Sequence, residues 1–293
     1  MRTLVYKILR YSGVAWVWRE VVQRRKVTFM LFHDMEFASA ERNFAYLKRH
    51  YNLISLNDYL ESRHNGERLP NKAVVITFDD GHVSNYALLP IIQKMQIPVT
   101  IFLCSSIVGT QRHFWFRHSE EMKSWTESLK GLTNDRRLEV MKQYGFSQQQ
   151  EYSDQQALSK EQIEEMRLWV DFQSHTCFHP ILPQCDAVTA EKEICESRQQ
   201  LESEFGLKVN ALSYPNGDYS ARDMQLARDA GYECGVTVDS GYNDGNTDLF
   251  RLKRFSVNDA KTISELMVKA SGCYAMLKHL LHKPTYGFKL DKE

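Results

Sequence analysis

Short apolar runs rich in β-branched residues recur along this chain, and each gives way to a stretch with helical spacing. Val27-Thr28-Phe29-Met30-Leu31-Phe32, Asn52-Leu53-Ile54, Ala73-Val74-Val75-Ile76 and Ile97-Pro98-Val99-Thr100-Ile101-Phe102-Leu103 read as strands. So do Val170–Ser174, Val209–Ser213, Cys234–Val238 and Leu252–Val257. Runs without polar alternation suit strands covered on both faces. Helical segments are expected near residues 38–50, 57–63, 84–96, 187–205 and 220–230. Another opens at Ser159-Lys160-Glu161-Gln162, a capping-box pattern, and Thr262-Ile263-Ser264-Glu265 caps the last clear helix. The alternation points to βα units and hence to a parallel sheet or barrel. In a barrel of this kind the loops after the strands gather on one face, so residues at strand C-terminal ends are the first candidates for chemistry.

Two segments break the rhythm. Residues 109–158 contain the aromatic His113-Phe114-Trp115-Phe116, a helical stretch over 118–144 and a Gln-rich tract, and read as an insertion beside the site. Trp115 and Phe116 suit either a sugar-stacking platform or the insertion's own small core. Residues 1–26 carry seven Lys or Arg against the single acid Glu20, in a chain whose formal net charge is zero. Over residues 3–24, Leu4, Ile8, Tyr11, Ala15, Trp18 and Val22 fall on one helical stripe, joined by Val5, Leu9 and Trp16. A basic amphipathic helix with Trp suits a membrane surface, and equally suits packing on the domain's own core.

The balanced overall charge excludes a field that would steer the whole molecule to nucleic acid. Six cysteines without a CxxC pair argue against a zinc knuckle or a disulfide scaffold, and read as buried thiols in a reducing compartment. No stretch is long and apolar enough to span a membrane. Val14-Ala15-Trp16-Val17-Trp18 is too short and bulky for a secretory signal. The expected location is therefore cytoplasmic, with a peripheral place at the inner face of the cell membrane left open.

Four polar clusters fall at predicted strand ends: His33-Asp34, Asp79-Asp80, His175 with His179, and the loop Tyr214-Pro215-Asn216-Gly217. Adjacent strand residues point to opposite faces, so Asp79 and Asp80 can divide two jobs between them, metal binding and proton transfer. Two His and one carboxylate leave positions open on a divalent ion, as a hydrolytic site requires. Zinc suits these donors, and the spacing leaves iron, cobalt and nickel open. Asp34 and His82 read as turn and helix-start residues beside this set.

Thr77-Phe78-Asp79-Asp80-Gly81 and His175-Thr176-Cys177-Phe178-His179 resemble the first two signatures of the polysaccharide deacetylases, carbohydrate esterase family 4. The resemblance covers roughly residues 27–258. It implies a distorted (β/α) barrel of about seven strands, fewer than a full eight, within a domain over 27–283. It also implies metal-dependent removal of an acetyl group, with Asp80, His175 and His179 as ligands and Asp79 as general base. The third signature departs from the family's Arg-x-Pro-Tyr-Gly: Ser213-Tyr214-Pro215-Asn216-Gly217 lacks the Arg and the second aromatic. The oxyanion donor in the family is a backbone N–H of this loop, which Asn216 can supply, with Tyr214 and Pro215 shaping the binding side. Arg254 is the candidate substitute for the missing Arg that orients the base. This arrangement is similar to the permuted branch that includes biofilm poly-N-acetylglucosamine deacetylases, in which a His near the first strand is the general acid. His33 matches that position. Leu277-Lys278-His279 fits the alternative, a C-terminal source of the acid, but lies in a basic helix beyond the expected barrel.

The expected reaction is removal of an N-acetyl group from an N-acetylhexosamine in a glycan or lipid-linked precursor, with release of acetate. The partner is then an N-acetylated carbohydrate, with a possible peripheral membrane contact. Alternatives are a hydrolase of cyclic or small-molecule amides on the same fold and a degenerate glycan-binding module.

Overall fold

The computed structural model describes residues 2–257 and 260–281. Eight strands among them join one parallel sheet: β1 (Thr28–Phe32), β2 (Asn52–Leu53), β3 (Ala73–Phe78), β4 (Val99–Leu103), β5 (Val170–Ser174), β6 (Ala211–Ser213), β7 (Cys234–Val236) and β8 (Arg254–Ser256). The order is β7-β6-β5-β4-β3-β1-β8, with the two-residue β2 hydrogen-bonded to β3 off this path. A parallel bridge between Val236 and Leu252 brings the two ends of the path together. The result is a nearly closed barrel of seven strands, as the alternation and the family resemblance imply.

Every residue of β1, β3 and β4 is buried, which explains their unbroken apolar character. Alternate residues serve two cores. Met30, Phe32, Val74, Ile76 and Phe78 pack outward, with Phe44 and Leu47 from the helix Phe37–His50. Phe29, Val75, Phe102, Ala211 and Val236 pack with each other in the other cluster. Farther along the strands that second face turns polar, with Thr77, Asp79, Ser213 and Arg254 all buried and bonded to one another. The barrel therefore has an apolar floor and a polar upper end.

The capping predictions are matched in detail. Ser159 Oγ accepts from Gln162 N at 3.2 Å while Gln162 Oε1 accepts from Ser159 N at 2.9 Å. Thr262 accepts from Glu265 N. Two expected helices are instead broken. The stretch 118–144 divides into Glu120–Lys130 and Asn134–Lys142 around Gly131-Leu132-Thr133. The stretch 3–24 divides into Arg2–Tyr11, Val14–Val17 and a π-helical turn Trp18–Val22. The break falls at Gly13, whose φ of 80° is left-handed and lets the chain change direction.

The broken N-terminal segment packs on one flank. Tyr6 and Ala15 bury against Val268 and Cys273 of the last two helices, Ile263–Ala270 and Cys273–Leu281. Arg10 donates to Ser264 Oγ at 3.2 Å, Arg19 to the Tyr46 hydroxyl at 3.0 Å, and Glu20 pairs with Lys72 at 3.0 Å. The stripe read from sequence does not all face inward: Leu4, Ile8, Tyr11 and Trp16 are exposed. Among the described residues no helix is long and apolar enough to cross a membrane. The backbone of His279 lies in the last helix, but its side chain is outside the described residues, as are residues 282–283.

Candidate metal centre and active site

Asp79 and Asp80 leave the end of β3 in a tight turn. Asp79 N donates to Phe32 O at 3.1 Å, holding the turn against the end of β1. Asp80 has φ 74° and Gly81 φ 71°. A Cβ on Gly81 would stand 2.5 Å from Leu103 Cδ2, so the turn must pass glycine where it crosses β4.

The loop after β5 supplies the histidines. His175 N donates to Leu103 O at 2.8 Å, and the loop accepts two bonds in return, from Ser105 N to Thr176 O and from Ser106 N to Cys177 O. The His175 and His179 Nε2 atoms each lie 3.5 Å from Asp80 Oδ1. Donor atoms about 2.0–2.1 Å from a tetrahedral ion stand roughly 3.3–3.5 Å apart, so each Asp–His pair matches an edge of one coordination sphere, and all three ligand atoms lie within 4.8 Å of one another. His175 Nδ1 meets Ser213 O at 2.7 Å, which makes it the protonated nitrogen and leaves Nε2 free to ligate.

The three residues are 1%, 3% and 7% exposed for His175, Asp80 and His179, and Asp80 Oδ1 has no hydrogen-bond partner. Burial, with Asp79 adding to it, pushes Asp80 above the usual carboxylate range, against the lowering pull of His33 and His175. Burial and then the charge of His175 hold His179 well below the ordinary histidine value. Both displacements express the cost of a dry donor set without countercharge. A divalent cation removes that cost, so these residues fit one metal ion. Among the described residues this is the one cluster of three with that geometry.

Asp79 faces a different partner. Arg254 donates from Nη1 to Asp79 Oδ1 and from Nη2 to Asp79 Oδ2, both at 2.7 Å. Arg254 Nε is spent on Thr237 O at 2.7 Å, its Nη2 also reaches Ser213 Oγ at 3.0 Å, and Ser213 Oγ donates to Asp79 Oδ2 at 3.2 Å. Burial would raise the Asp79 carboxyl, but the charges of Arg254 and His175 and the Arg254 hydrogen bonds outweigh it and hold it well below the usual carboxylate range. The residue proposed from sequence to replace the missing Arg of the third signature thus reaches Asp79 from β8, on the far side of β1.

His33, half-buried after β1, lies near enough for its charge to bear on Asp79, Asp80 and His179. Its carbonyl accepts from Asn85 Nδ2 at 2.8 Å. Asp34 pairs with Arg117 at 3.1 Å and so ties the β1 loop to the insertion. In the 214–217 loop, Asn216 takes φ 58° and is exposed, whereas Tyr214 and Pro215 are buried. Tyr214 donates to Phe250 O at 3.1 Å and stacks on Tyr219, so its side chain supports the loop from within. Gly217 is required there, because a Cβ would come 2.1 Å from Val238 Cγ2.

The two aromatic candidates part company. Trp115 is 2% exposed, sits in the insertion's core with Leu129, Met141 and Phe146, and donates from Nε1 to His179 O at 2.8 Å. Phe116 is half-buried, packs against the same insertion core, and holds its ring 4.7 Å from that of His179. His82 opens the 3-10 turn Val83–Leu88, buried and stacked on Phe114, as a helix-start residue would be.

Sequence reasoning missed Glu193. It sits on the buried face of the helix Ala187–Phe205, and one oxygen, Oε2, accepts from Cys177 N at 2.8 Å and Phe178 N at 2.9 Å. Burial pushes it up to about 7 despite those bonds. It clamps the loop between the two histidines, where Thr176 and His179 hold φ of 65° and 56°. A signal was present: an acid at helical spacing within the stripe Ala190, Ile194, Ser197, Leu201 has no place on a core face without a buried partner.

A sequence model of the family described as polysaccharide deacetylase matches residues 66–235, which include the Asp-Asp turn, the His-His loop and the 214–217 loop. The chain belongs to the polysaccharide deacetylase family. A poly-beta-1,6-N-acetyl-D-glucosamine N-deacetylase from Staphylococcus epidermidis is 26% identical over 242 residues, covering 78% of this chain and 68% of that protein. The Bacillus subtilis protein YxkH is 25% identical over 188 residues, and the match spans about half, 52%, of its length. Among solved structures, IcaB from Ammonifex degensii superposes with a TM-score of 0.63 at 17% identity, covering 85% of this chain and 98% of that one. The Streptococcus pyogenes deacetylase PplD, solved with acetate, gives a TM-score of 0.60 at 19% identity over 84% and 98%. These structural likenesses place the polysaccharide deacetylase fold over most of the chain. His33 and Arg254 lie outside the matched family segment.

Proposed function

We propose that this polysaccharide deacetylase removes the N-acetyl group from an N-acetylhexosamine in a glycan or lipid-linked glycan precursor, releasing acetate. The observation that carries the reading is the division of labour between neighbours. Asp80 faces two histidine Nε2 atoms at 3.5 Å, while Asp79 is gripped by Arg254 at 2.7 Å. The similarity to a relative named for N-deacetylation of poly-N-acetylglucosamine supports the substrate class.

Asp80, His175 and His179 would hold a divalent ion, with zinc favoured by the two imidazoles and one carboxylate. When bound, such an ion acidifies water and polarises the acetyl carbonyl. Asp79 accepts the proton from the attacking water. Its depressed pKa makes it a weak base, and the Arg254 fork serves mainly to keep it ionised and aimed. Protonation of Asp79 weakens that fork, which favours handing the proton on. The Asn216 N–H is assigned to the developing oxyanion, on a loop whose backbone Gly217 and Tyr214 fix. His33 is assigned the proton donated to the leaving amine.

The test is acetate release from a panel of free, nucleotide-linked, polymeric and lipid-linked N-acetylhexosamines, with added metal and with chelator. Release that chelator abolishes and metal restores is expected for at least one sugar. No release from any of them with metal present refutes the reading.

A further inference from the structure

We infer that the N-terminal segment is a built docking surface for an anionic lipid bilayer. The inference is independent of the deacetylase chemistry. Thirteen large apolar side chains are exposed among the described residues, and seven of them fall between Leu4 and Val21. They include Leu4 at 61%, Ile8 at 58%, Tyr11 at 75%, Trp16 at 55% and Val21 at 67% exposure. Isolated exposed apolar residues need no explanation, but this concentration does.

The segment is not a frayed end. Its other face is fixed to the helices Ile263–Ala270 and Phe37–His50, through Tyr6 and Ala15 on Val268, through Arg10 on Ser264 and through Arg19 on Tyr46. The outward stripe Leu4, Ile8, Tyr11 follows helical spacing, with Lys7 exposed beside it. A helix with one face already packed and the other apolar and exposed offers that second face to something else.

Charge selects the occupant. Residues 1–26 hold seven basic groups, and their single acid, Glu20, is engaged by Arg19 and Lys72. Lys7, Arg24 and Arg25 are exposed. A second copy of this chain would bring the same positive face against itself, which opposes self-association. Anionic headgroups complement it, and Trp and Tyr suit the headgroup boundary. With no described helix able to cross a bilayer, the segment lies in the interface plane.

Flotation of the full chain with vesicles tests this, using phosphatidylcholine alone and phosphatidylcholine mixed with phosphatidylglycerol. Binding is expected on the mixed vesicles only, falling with salt, with a blue shift of tryptophan emission. The variant Ile8→Asp/Trp16→Asp should lose flotation while keeping its melting temperature and acetate release. The variant Lys7→Gln/Arg24→Gln/Arg25→Gln should bind mixed vesicles on the order of a hundredfold more weakly, since each basic group near an anionic surface is worth about fivefold. Failure of the parent to float, or equal binding to neutral vesicles, overturns the inference. So does a dimer in analytical ultracentrifugation that Ile8→Asp/Trp16→Asp dissolves, since the face would then be a self-interface.

Discussion

Replacing Arg254 with Met keeps the apolar stem of the side chain but removes the fork that holds Asp79. Two bonds of 2.7 Å to the carboxylate are lost, together with those to Thr237 O and Ser213 Oγ. Both partners are dry, at 0% and 4% side-chain exposure for Arg254 and Asp79, so water cannot take over. Breaking a buried pair by removing one member typically costs about 3–5 kcal/mol, because the other charge is stranded. Asp79→Asn alone strands the guanidinium and should also destabilise. The double variant Asp79→Asn/Arg254→Met strands neither, so it should be more stable than the two single losses added together. A coupling of about 2–3 kcal/mol is expected, near the top of the usual range for residues in contact. Urea unfolding of the metal-free proteins near neutral pH measures it without interference from metal loading. The pH dependence supplies a second readout. Asp79 is depressed in the folded state, so its contribution is present above the ordinary carboxylate value and is lost as pH falls below it. In Arg254→Met that acid-side loss should flatten. A coupling below about 0.5 kcal/mol, within the scatter of independent sites, would mean that the fork does not hold the base, and the mechanism would lose its orienting residue.

Glu193→Ala leaves two buried N–H groups without an acceptor, at about 1–3 kcal/mol each, and should weaken metal binding in a chelator-competition titration, whereas Glu193→Gln keeps a carbonyl oxygen and should retain most of it. Because Glu193 is raised to about 7, the folded protein holds this proton more tightly than the unfolded chain. Stability should therefore fall as pH rises from the ordinary glutamate value toward that figure, and Glu193→Gln should remove the slope in denaturation midpoints. Adding zinc at about a hundred times its dissociation constant should stabilise the protein by about 2.7 kcal/mol. Asp80→Asn should abolish that gain in a thermal melt.

The barrel was legible because its strands are covered on both faces and therefore read as unbroken β-branched runs, as in Ala73–Phe78. The centre was legible because Asp79-Asp80 and His175-x-x-x-His179 each sit where a strand stops. Arg254 was reached only through a gap in the third signature, since its link to Asp79 spans 175 residues. The course of residues 3–24 was not legible. An apolar stripe continues in register through Gly13, and spacing alone does not reveal that the backbone there turns left-handed. Trp115 and Phe116 are adjacent and chemically alike, so only packing shows the first fully buried and the second half-buried beside His179.

Three non-glycine residues at the centre, Asp80, Thr176 and His179, hold left-handed backbone. Two are bound to that conformation by the donor atoms they carry. Thr176 carries no such donor: it is a β-branched residue in a conformation that disfavours its branching, and its buried side chain bears on Glu193, whose carboxyl it helps to lower. Glycine at this position should relieve strain of about 1–3 kcal/mol, less the backbone freedom it adds to the unfolded chain. A laboratory selection for heat resistance alone would therefore be drawn to the loop between the candidate metal ligands. The same substitution would loosen the spacing of His175 and His179. Thermal hardening and metal affinity should thus pull in opposite directions at one residue, and a library varied at Thr176 would trace that trade-off.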